Sequence, residues 1–223
     1  MAIDQVKEHD LAEQIAQLEA NLAQQLPAEL LQGFQGAIQA LVNGGIAANA
    51  VKVGQKAPDF SLPDQLGDTV TLSSVLQRGP AAVVFYRGEW CPYCDLTLRA
   101  YQRILPQITA LGAALIAISP QTPDSTLTTV EKKELTFSVL SDVGNVVGRT
   151  YGLVFVTPEA ARHPGIAAAN GDESWELPVP GTFVIARDGT IKLAFIDADW
   201  THRLEPAELL KALEGVATTR THF

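Results

Sequence analysis

The sequence predicts an α/β layered domain that carries a helical hairpin as an N-terminal extension. From Val51 onward, short apolar runs of strand length alternate with longer segments of helical periodicity. Residues 1–50 show helical periodicity alone and hold one Lys against six acidic residues. With 47% hydrophobic and 18% charged residues, the chain of 223 residues is too apolar to be disordered. We therefore expect two parts, the hairpin at residues 1–50 and the α/β domain at residues 51–223.

The hairpin is predicted from two apolar stripes at helical spacing. The first helix carries Leu11, Ile15, Leu18 and Leu22 at four- and three-residue steps. Pro27 ends it, and a second helix begins near Ala28, with Leu31, Phe34, Ile38 and Leu41 on one face. Gly44 and Gly45 end the second helix. We expect the hairpin to cap the main domain; a dimerisation element and a partner-binding unit are the alternatives.

The α/β domain is predicted from strand-length and helix-length segments in alternation. The strands are Pro58–Leu62, Thr69–Leu72, Ala81–Tyr86, Ala113–Ser119, Phe137–Leu140, Thr182–Ala186 and Thr190–Ile196. The helices are Pro92–Leu111, Asp124–Glu134, Gly144–Tyr151 and Glu205–Val216. Between them, Pro158–Pro180 has no clear period and contains four prolines and two glycines, so we expect a long surface loop near the site.

Composition and missing motifs exclude several classes of function. A net charge of −9 argues against a nucleic-acid partner, because neutralising phosphates takes clustered Lys and Arg. The polar N-terminus lacks a secretory signal, and no apolar run is long enough to span a membrane. Hydrolase and nucleotide motifs are absent, and no cofactor is expected. We expect a cytoplasmic protein whose cysteines are reduced between reaction cycles.

The two cysteines stand three residues apart in Trp90-Cys91-Pro92-Tyr93-Cys94, between a predicted strand and a predicted helix. A helix N-terminus supplies unpaired N–H groups and partial positive charge, which stabilise a thiolate. The spacing of the two cysteines also matches half of a zinc-ligand pattern, but the other two ligands are missing and the four histidines are scattered. A pair of structural cysteines is the second alternative. The placement favours redox chemistry.

The α/β part also resembles a known family, the peroxiredoxin-like proteins of the alkyl hydroperoxide reductase/thiol-specific antioxidant group in the thioredoxin-fold superfamily. The resemblance covers about residues 51–217 and is carried by Val53–Phe60, Val83–Cys94, Tyr151–Leu153, Pro180–Ile185 and Asp188–Ile191. It implies a thioredoxin-like fold, a central mixed sheet flanked by helices. It also implies a thiol-dependent peroxidase with an antioxidant role.

Within this resemblance, Cys94 takes the position of the cysteine that attacks the peroxide, and Cys91 resolves the resulting sulfenic acid as a disulfide. Three other positions depart from the family pattern: Arg87 replaces a proline, Cys91 a threonine and Pro180 an arginine. A second family arginine is matched by Arg203. The implied partners are a hydroperoxide and a thioredoxin- or glutathione-type thiol reductant, with a homodimer through the hairpin as a further expectation. No nucleic acid, membrane or metal partner is expected.

Two alternative functions remain at this point. Compared with thioredoxins, Trp90 and the cysteine pair match a thiol-disulfide oxidoreductase in which Cys91 attacks and Cys94 resolves. Pro180 then matches the cis-proline that lies against the redox motif. A function of another class is a non-catalytic binding module that docks partners through the hairpin.

The residues near the cysteines are given two interpretations each. Trp90 and Tyr93 form an apolar collar over the site or pack beneath the surface. Arg87 and Arg99 stabilise a thiolate or remain exposed. Arg203 anchors helix ends by ion pairing or approaches the site as the family arginine does.

Overall fold

The computed structural model describes residues 10–217, which form nine strands and eight α-helices. The strands are β1 (Ser61–Pro63), β2 (Thr69–Thr71), β3 (Ala81–Phe85), β4 (Ala114–Ser119), β5 (Ser138–Ser141), β6 (Val154–Val156), β7 (Glu176–Pro178), β8 (Gly181–Ile185) and β9 (Ile191–Ile196). The helices are α1 (Leu11–Gln25), α2 (Ala28–Asn43), α3 (Leu72–Arg78), α4 (Pro92–Ala110), α5 (Pro123–Lys133), α6 (Val146–Thr150), α7 (Pro164–Asn170) and α8 (Pro206–Ala217). Two short 3₁₀ helices occupy Ile46–Asn49 and Glu159–Ala161.

The central sheet has five strands in the order β5-β4-β3-β8-β9. Strands β3, β4 and β5 run parallel, whereas β8 and β9 are antiparallel to their neighbours. Val83 is at the centre, paired with Ile116 on one side and Phe183 on the other. Every residue of β3 is buried, as expected for a strand covered on both faces. This mixed sheet flanked by helices confirms the predicted fold class, with helices preceding it as expected.

Alternate residues of β3 face two separate layers of core. Ala82 and Val84 face a layer built from α4, α8 and α1. Val83 and Phe85 face a second layer, to which α3 and α6 contribute. This two-sided covering fixes the end of β3, and therefore the point at which the redox motif leaves the sheet.

The two predicted N-terminal helices are both present, but they contact different parts of the protein. Helix α1 packs on α4, with Leu11 and Ile15 buried. Helix α2 packs on the 3₁₀ helix at Glu159–Ala161, with Ala37 buried. The domain boundary at residue 50 and a dimer formed through these helices stay predictions. In the part of the chain that the structure describes, no helix is both long and apolar enough to cross a membrane.

The expectation of a surface loop at Pro158–Pro180 was wrong. The segment contains α7, and its strand β7 pairs antiparallel with β6. Leu177 and Ile166 are buried in a third core cluster together with residues of α2. These elements are too short to show a period in sequence, and they are stabilised by long-range packing. Helix α3, which follows β2 directly, was missed for the same reason.

Candidate active site

The redox motif, Trp90–Cys94, begins five residues after the end of β3 and leads into α4. Cys91 is the N-cap residue of α4, and Pro92 occupies the first turn. The Cys94 N–H lies 3.4 Å from the Cys91 sulfur and donates to it, so the motif's own helix supplies one donor to the thiol. Both cysteines are free and buried.

Arg87 lies against Cys91 and is 6% exposed. Its Nη2 is 3.2 Å from the Cys91 sulfur. The guanidinium lies over two indole rings, 4.6 Å from the ring centroid of Trp200 and 5.2 Å from that of Trp90. Within residues 10–217 it makes no ion pair with a carboxylate, so a thiolate at Cys91 is its counter-charge.

A second arginine contacts the second cysteine. Nη2 of Arg203 is 3.6 Å from the Cys94 sulfur. Its Nη1 donates to the carbonyls of Trp200 and His202, the latter at 2.7 Å, so the backbone before α8 orients the guanidinium. Pro180, at the start of β8, joins Cys94 and Arg203 around a void of about 10 Å³. The structure thus brings two of the predicted supporting residues to the Cys94 side.

The two thiols differ in their charge environment. Burial alone would raise the pKa of Cys91, but the hydrogen bond from the Cys94 thiol and the charges of Arg87 and Arg203 lower it well below its ordinary value. Burial and the neighbouring Cys91 raise the pKa of Cys94 well above its ordinary value. In the reduced protein, these surroundings therefore favour the negative charge of a thiolate on Cys91 over Cys94.

One expectation for a supporting residue was wrong. The structure has no cis peptide bond in residues 10–217, so the Val179–Pro180 bond is trans. The trans form is the lower-energy state for X–Pro bonds in general, and here the Val179 N–H donates to the Leu153 carbonyl at 2.8 Å. Of the two interpretations of Arg99, the exposed one is confirmed: its side chain is 46% exposed, and its Nε bonds Asp95 Oδ1 at 3.0 Å. Its position one turn further along α4 brings it to that carboxylate.

The sequence analysis did not predict the roles of three other residues at the site. Trp200 stacks on Arg87 from a segment more than 100 positions away, and the ring of His163 meets that of Trp90 edge-on at 4.7 Å. Neither has a local signal in the sequence. Gly88 did carry a local signal, because it is a glycine just before the motif. Its φ is 151°, and a Cβ there would lie 2.4 Å from Nε1 of Trp90. A larger residue would displace the indole.

The described residues include no group of three or more His, Cys, Asp or Glu side chains that could hold a metal ion. The site itself places two adjacent thiols between two arginines, Arg87 at Cys91 and Arg203 at Cys94, and their charges favour a thiolate on Cys91. A thiolate of this kind is a nucleophile toward sulfur and toward peroxide oxygen.

Known proteins resemble the chain in sequence and in fold. The chain is 28% identical over 145 residues to the chloroplastic peroxiredoxin Q of Populus jackii, covering 65% of this chain and 60% of that protein. With the chloroplastic peroxiredoxin Q of Sedum lineare it shares 27% over 162 residues, covering 73% and 77%. The match thus spans only about 60% of the length of the first relative. The cytoplasmic location expected for this chain stays a prediction.

Solved structures share the fold at low identity. The peroxidoxin BcpB of Mycobacterium tuberculosis superposes with a TM-score of 0.59 and 22% identity, covering 74% of this chain and 98% of that one. The reduced 2-Cys peroxiredoxin of Plasmodium vivax gives a TM-score of 0.61 at 14% identity, covering 77% and 100%.

The family model described as the AhpC/TSA family matches residues 53–194 of the chain. The matched stretch includes the strand before the motif, both cysteines, Arg87 and Pro180, and it covers more than half of the chain. Together with the thioredoxin-like sheet, this match shows that the chain belongs to the AhpC/TSA family.

Proposed function

We propose that this protein is a thiol-dependent peroxidase whose catalytic cycle interconverts a Cys91–Cys94 dithiol and a disulfide. The observation that carries the proposal is the pairing of Arg87 with Cys91 at 3.2 Å, next to a second thiol. The pair gives a stabilised thiolate, a fixed positive charge for the oxygen that leaves, and a resolving thiol three residues away. Membership of the AhpC/TSA family supports the same reaction.

We further propose that Cys91 makes the first attack, although the family alignment assigns that step to Cys94. The attacking species is a thiolate, and the lowered pKa belongs to Cys91. The void beside Cys94 measures about 10 Å³. That volume holds about one water molecule, so an organic peroxide has no room there.

In the proposed reaction, the Cys91–Cys94 disulfide forms in two steps. The Cys91 thiolate attacks one peroxide oxygen, the O–O bond breaks, and the alcohol or water that leaves takes up a proton. Cys91 is oxidised to a sulfenic acid and the peroxide is reduced. The Cys94 sulfur then attacks the Cys91 sulfur, releasing the hydroxyl as water with the proton of the Cys94 thiol. Two thiols of a thioredoxin-type or glutathione-type reductant then restore the dithiol by exchange and are themselves oxidised to a disulfide.

Separate Cys91→Ser and Cys94→Ser variants test this assignment. Each is treated with hydrogen peroxide and a sulfenic-acid trap, and the adduct is located by mass spectrometry. We expect the Cys94→Ser variant to accumulate an adduct at Cys91, because its resolving thiol is gone, and the Cys91→Ser variant to form none. An adduct at Cys94 in the Cys91→Ser variant, with no adduct at Cys91 in the Cys94→Ser variant, would show that Cys94 makes the first attack.

A thiol-disulfide oxidoreductase is the second candidate, favoured by the same Cys91 thiolate. In that reaction Cys91 attacks a substrate disulfide and Cys94 resolves the mixed disulfide. Turnover of a disulfide substrate without turnover of hydrogen peroxide or an organic hydroperoxide would favour it. The non-catalytic binding module requires instead that both thiols react slowly with an alkylating reagent near neutral pH, contrary to the lowered pKa of Cys91.

A further inference from the structure

A large cavity lies between the two N-terminal helices and the redox motif. It measures about 500 Å³, within the usual range for small-molecule sites. Helices α1 and α2 provide aliphatic and aromatic walls, among them Leu22, Leu26 and Phe34. The redox end is lined by Trp90, Tyr93 and Trp200. Both helices precede the segment matched by the family model, so these walls belong to the extension.

Arg87 connects this cavity to the chemistry. The same guanidinium lines the cavity and donates to the Cys91 sulfur. Its Nε is buried and has no hydrogen-bond acceptor among the described residues. A buried donor left without a partner is unfavourable, so a ligand that brings an acceptor within reach of this guanidinium would gain a hydrogen bond. A hydroperoxide oxygen is such an acceptor.

The charges around the cavity disfavour an anionic ligand. The positive charge of Arg87 is already matched by the thiolate, and Glu19 of α1 contributes a carboxylate to the lining. Burial lowers the pKa of His163, so that imidazole is neutral at neutral pH, and burial raises the pKa of Tyr93 to about 12, so that phenol keeps its proton. An uncharged molecule with an apolar body suits these surroundings.

We propose that the N-terminal helices form a substrate pocket for uncharged, bulky organic hydroperoxides, with the apolar body between α1 and α2 and the peroxide group at Arg87. This rests on the proposed peroxidase function and names its substrate class. The helices thereby contribute to selectivity for alkyl or aryl hydroperoxides over hydrogen peroxide, which has no apolar body to bury.

Two tryptophan variants on the same helix test the pocket. Ala23 lines the cavity, whereas Ala20, three residues earlier on α1, does not, and both are exposed. The measured quantity is kcat/KM for cumene hydroperoxide divided by kcat/KM for hydrogen peroxide. We expect Ala23→Trp to lower this ratio by about tenfold or more, because the indole occupies the space of the apolar body. Ala20→Trp, the matched control, should leave the ratio within about twofold of the wild-type value.

A ratio that Ala23→Trp leaves unchanged would overturn the pocket while the peroxidase proposal stands. If the wild-type protein turns over neither peroxide, the proposed function fails instead. A binding measurement separates these outcomes, since cumyl alcohol has the same apolar body and no O–O bond. We expect isothermal titration calorimetry to show saturable binding of cumyl alcohol to the wild type and weaker binding to Ala23→Trp. Absence of saturable binding to the wild type would also overturn the pocket.

Discussion

At the scale of single residues, the site depends on a buried cation whose counter-charge is a sulfur atom. Arg87 loses most of its hydration on folding, and burying an unpaired charge is costly. Two indole rings and the Cys91 thiolate replace that hydration. The same contacts that hold Arg87 in the protein therefore hold Cys91 in its reactive form.

Replacing Arg87 should slow the reaction of Cys91 with an alkylating reagent. An opposite charge this close lowers a pKa by about one to three units, so Arg87→Gln should reduce the alkylation rate by about tenfold or more at a pH below the wild-type midpoint. The rate is measured in a Cys94→Ser background as a function of pH, and the midpoint should move to higher pH. Arg99→Gln is the control, because that guanidinium bonds Asp95. Equal effects of both variants would show that Arg87 does not set the pKa.

At the scale of elements, α4 presents the cysteines and α5 holds α4 in place. Lys133 at the end of α5 reaches Asp95 in the first turn of α4, with Nζ 2.7 Å from Oδ1 and a side chain only 9% exposed. Its neighbour Lys132 pairs with Glu89 at 3.3 Å, but with a side chain 65% exposed. Adjacent lysines thus form one sheltered and one solvated ion pair with the region of the motif.

The two lysines should contribute unequally to stability. We expect Lys133→Gln to lower the free energy of unfolding by about 1–2 kcal/mol, because it removes a sheltered charged hydrogen bond. Lys132→Gln should change it by less than about 0.5 kcal/mol, as exposed pairs usually do. Urea unfolding near pH 7 measures both. Similar losses in the two variants would contradict the difference in burial.

The effect of Lys133 should also depend on pH. Burial alone would raise the pKa of Asp95, but hydrogen bonds from Lys133 and Arg99 outweigh it and lower that pKa. A lowered pKa in the folded state stabilises the protein above the unfolded pKa of about 3.9, and this contribution is lost as the pH falls through the folded value. The stability difference between wild type and Lys133→Gln should therefore be full near pH 7 and shrink below about pH 4. A difference that grows on acidification would refute the ion pair.

At the scale of the whole molecule, the two ends of the described chain are joined. The Glu205 carboxylate, just before α8, accepts hydrogen bonds from the Leu11 N–H at 3.1 Å and the Ala12 N–H at 2.7 Å. These donors belong to the first turn of α1, which has no partner for them within the helix. The Ala12 N–H is shared with the N-cap residue Asp10, whose Oδ1 accepts from it at 3.0 Å. A residue of the C-terminal region thereby caps the helix that lines the cavity.

Removing this cap should loosen α1. We expect Glu205→Ala to speed amide hydrogen exchange at Leu11 by about fivefold, the factor that corresponds to a cap worth about 1 kcal/mol, and by less at Ala12, whose N–H still donates to Asp10. Glu208→Ala is the control, since that exposed carboxylate lies in the first turn of α8. Exchange that is unchanged in Glu205→Ala, or accelerated equally in both variants, would contradict a capping role.

The sequence predicted well those parts whose signal is local. Three features have such a signal in their own residues, either a hydrophobic period or a residue that begins or ends the element. They are the buried strand β3, the helix that begins at Pro92 and the two N-terminal helices. Short elements were not predicted, because β7 and α7 span only three and seven residues and are stabilised by packing on α2. The trans bond at Pro180 was missed because the expectation rested on a family match rather than on a local signal.

By itself, the sequence determined the fold class and the position of two cysteines at a helix N-terminus, because strand length, helical period and motif spacing are properties of neighbouring residues. Only the tertiary structure decided how those cysteines differ. Arg87 stands four residues before Cys91, but Arg203 reaches Cys94 and Trp200 reaches Arg87 from a segment more than 100 positions away. The charges of the two arginines and the burial of the thiols distribute the protons between the two sulfurs. The pocket walls of α1 and α2 were also beyond the sequence, since an apolar stripe does not reveal which surface it will meet.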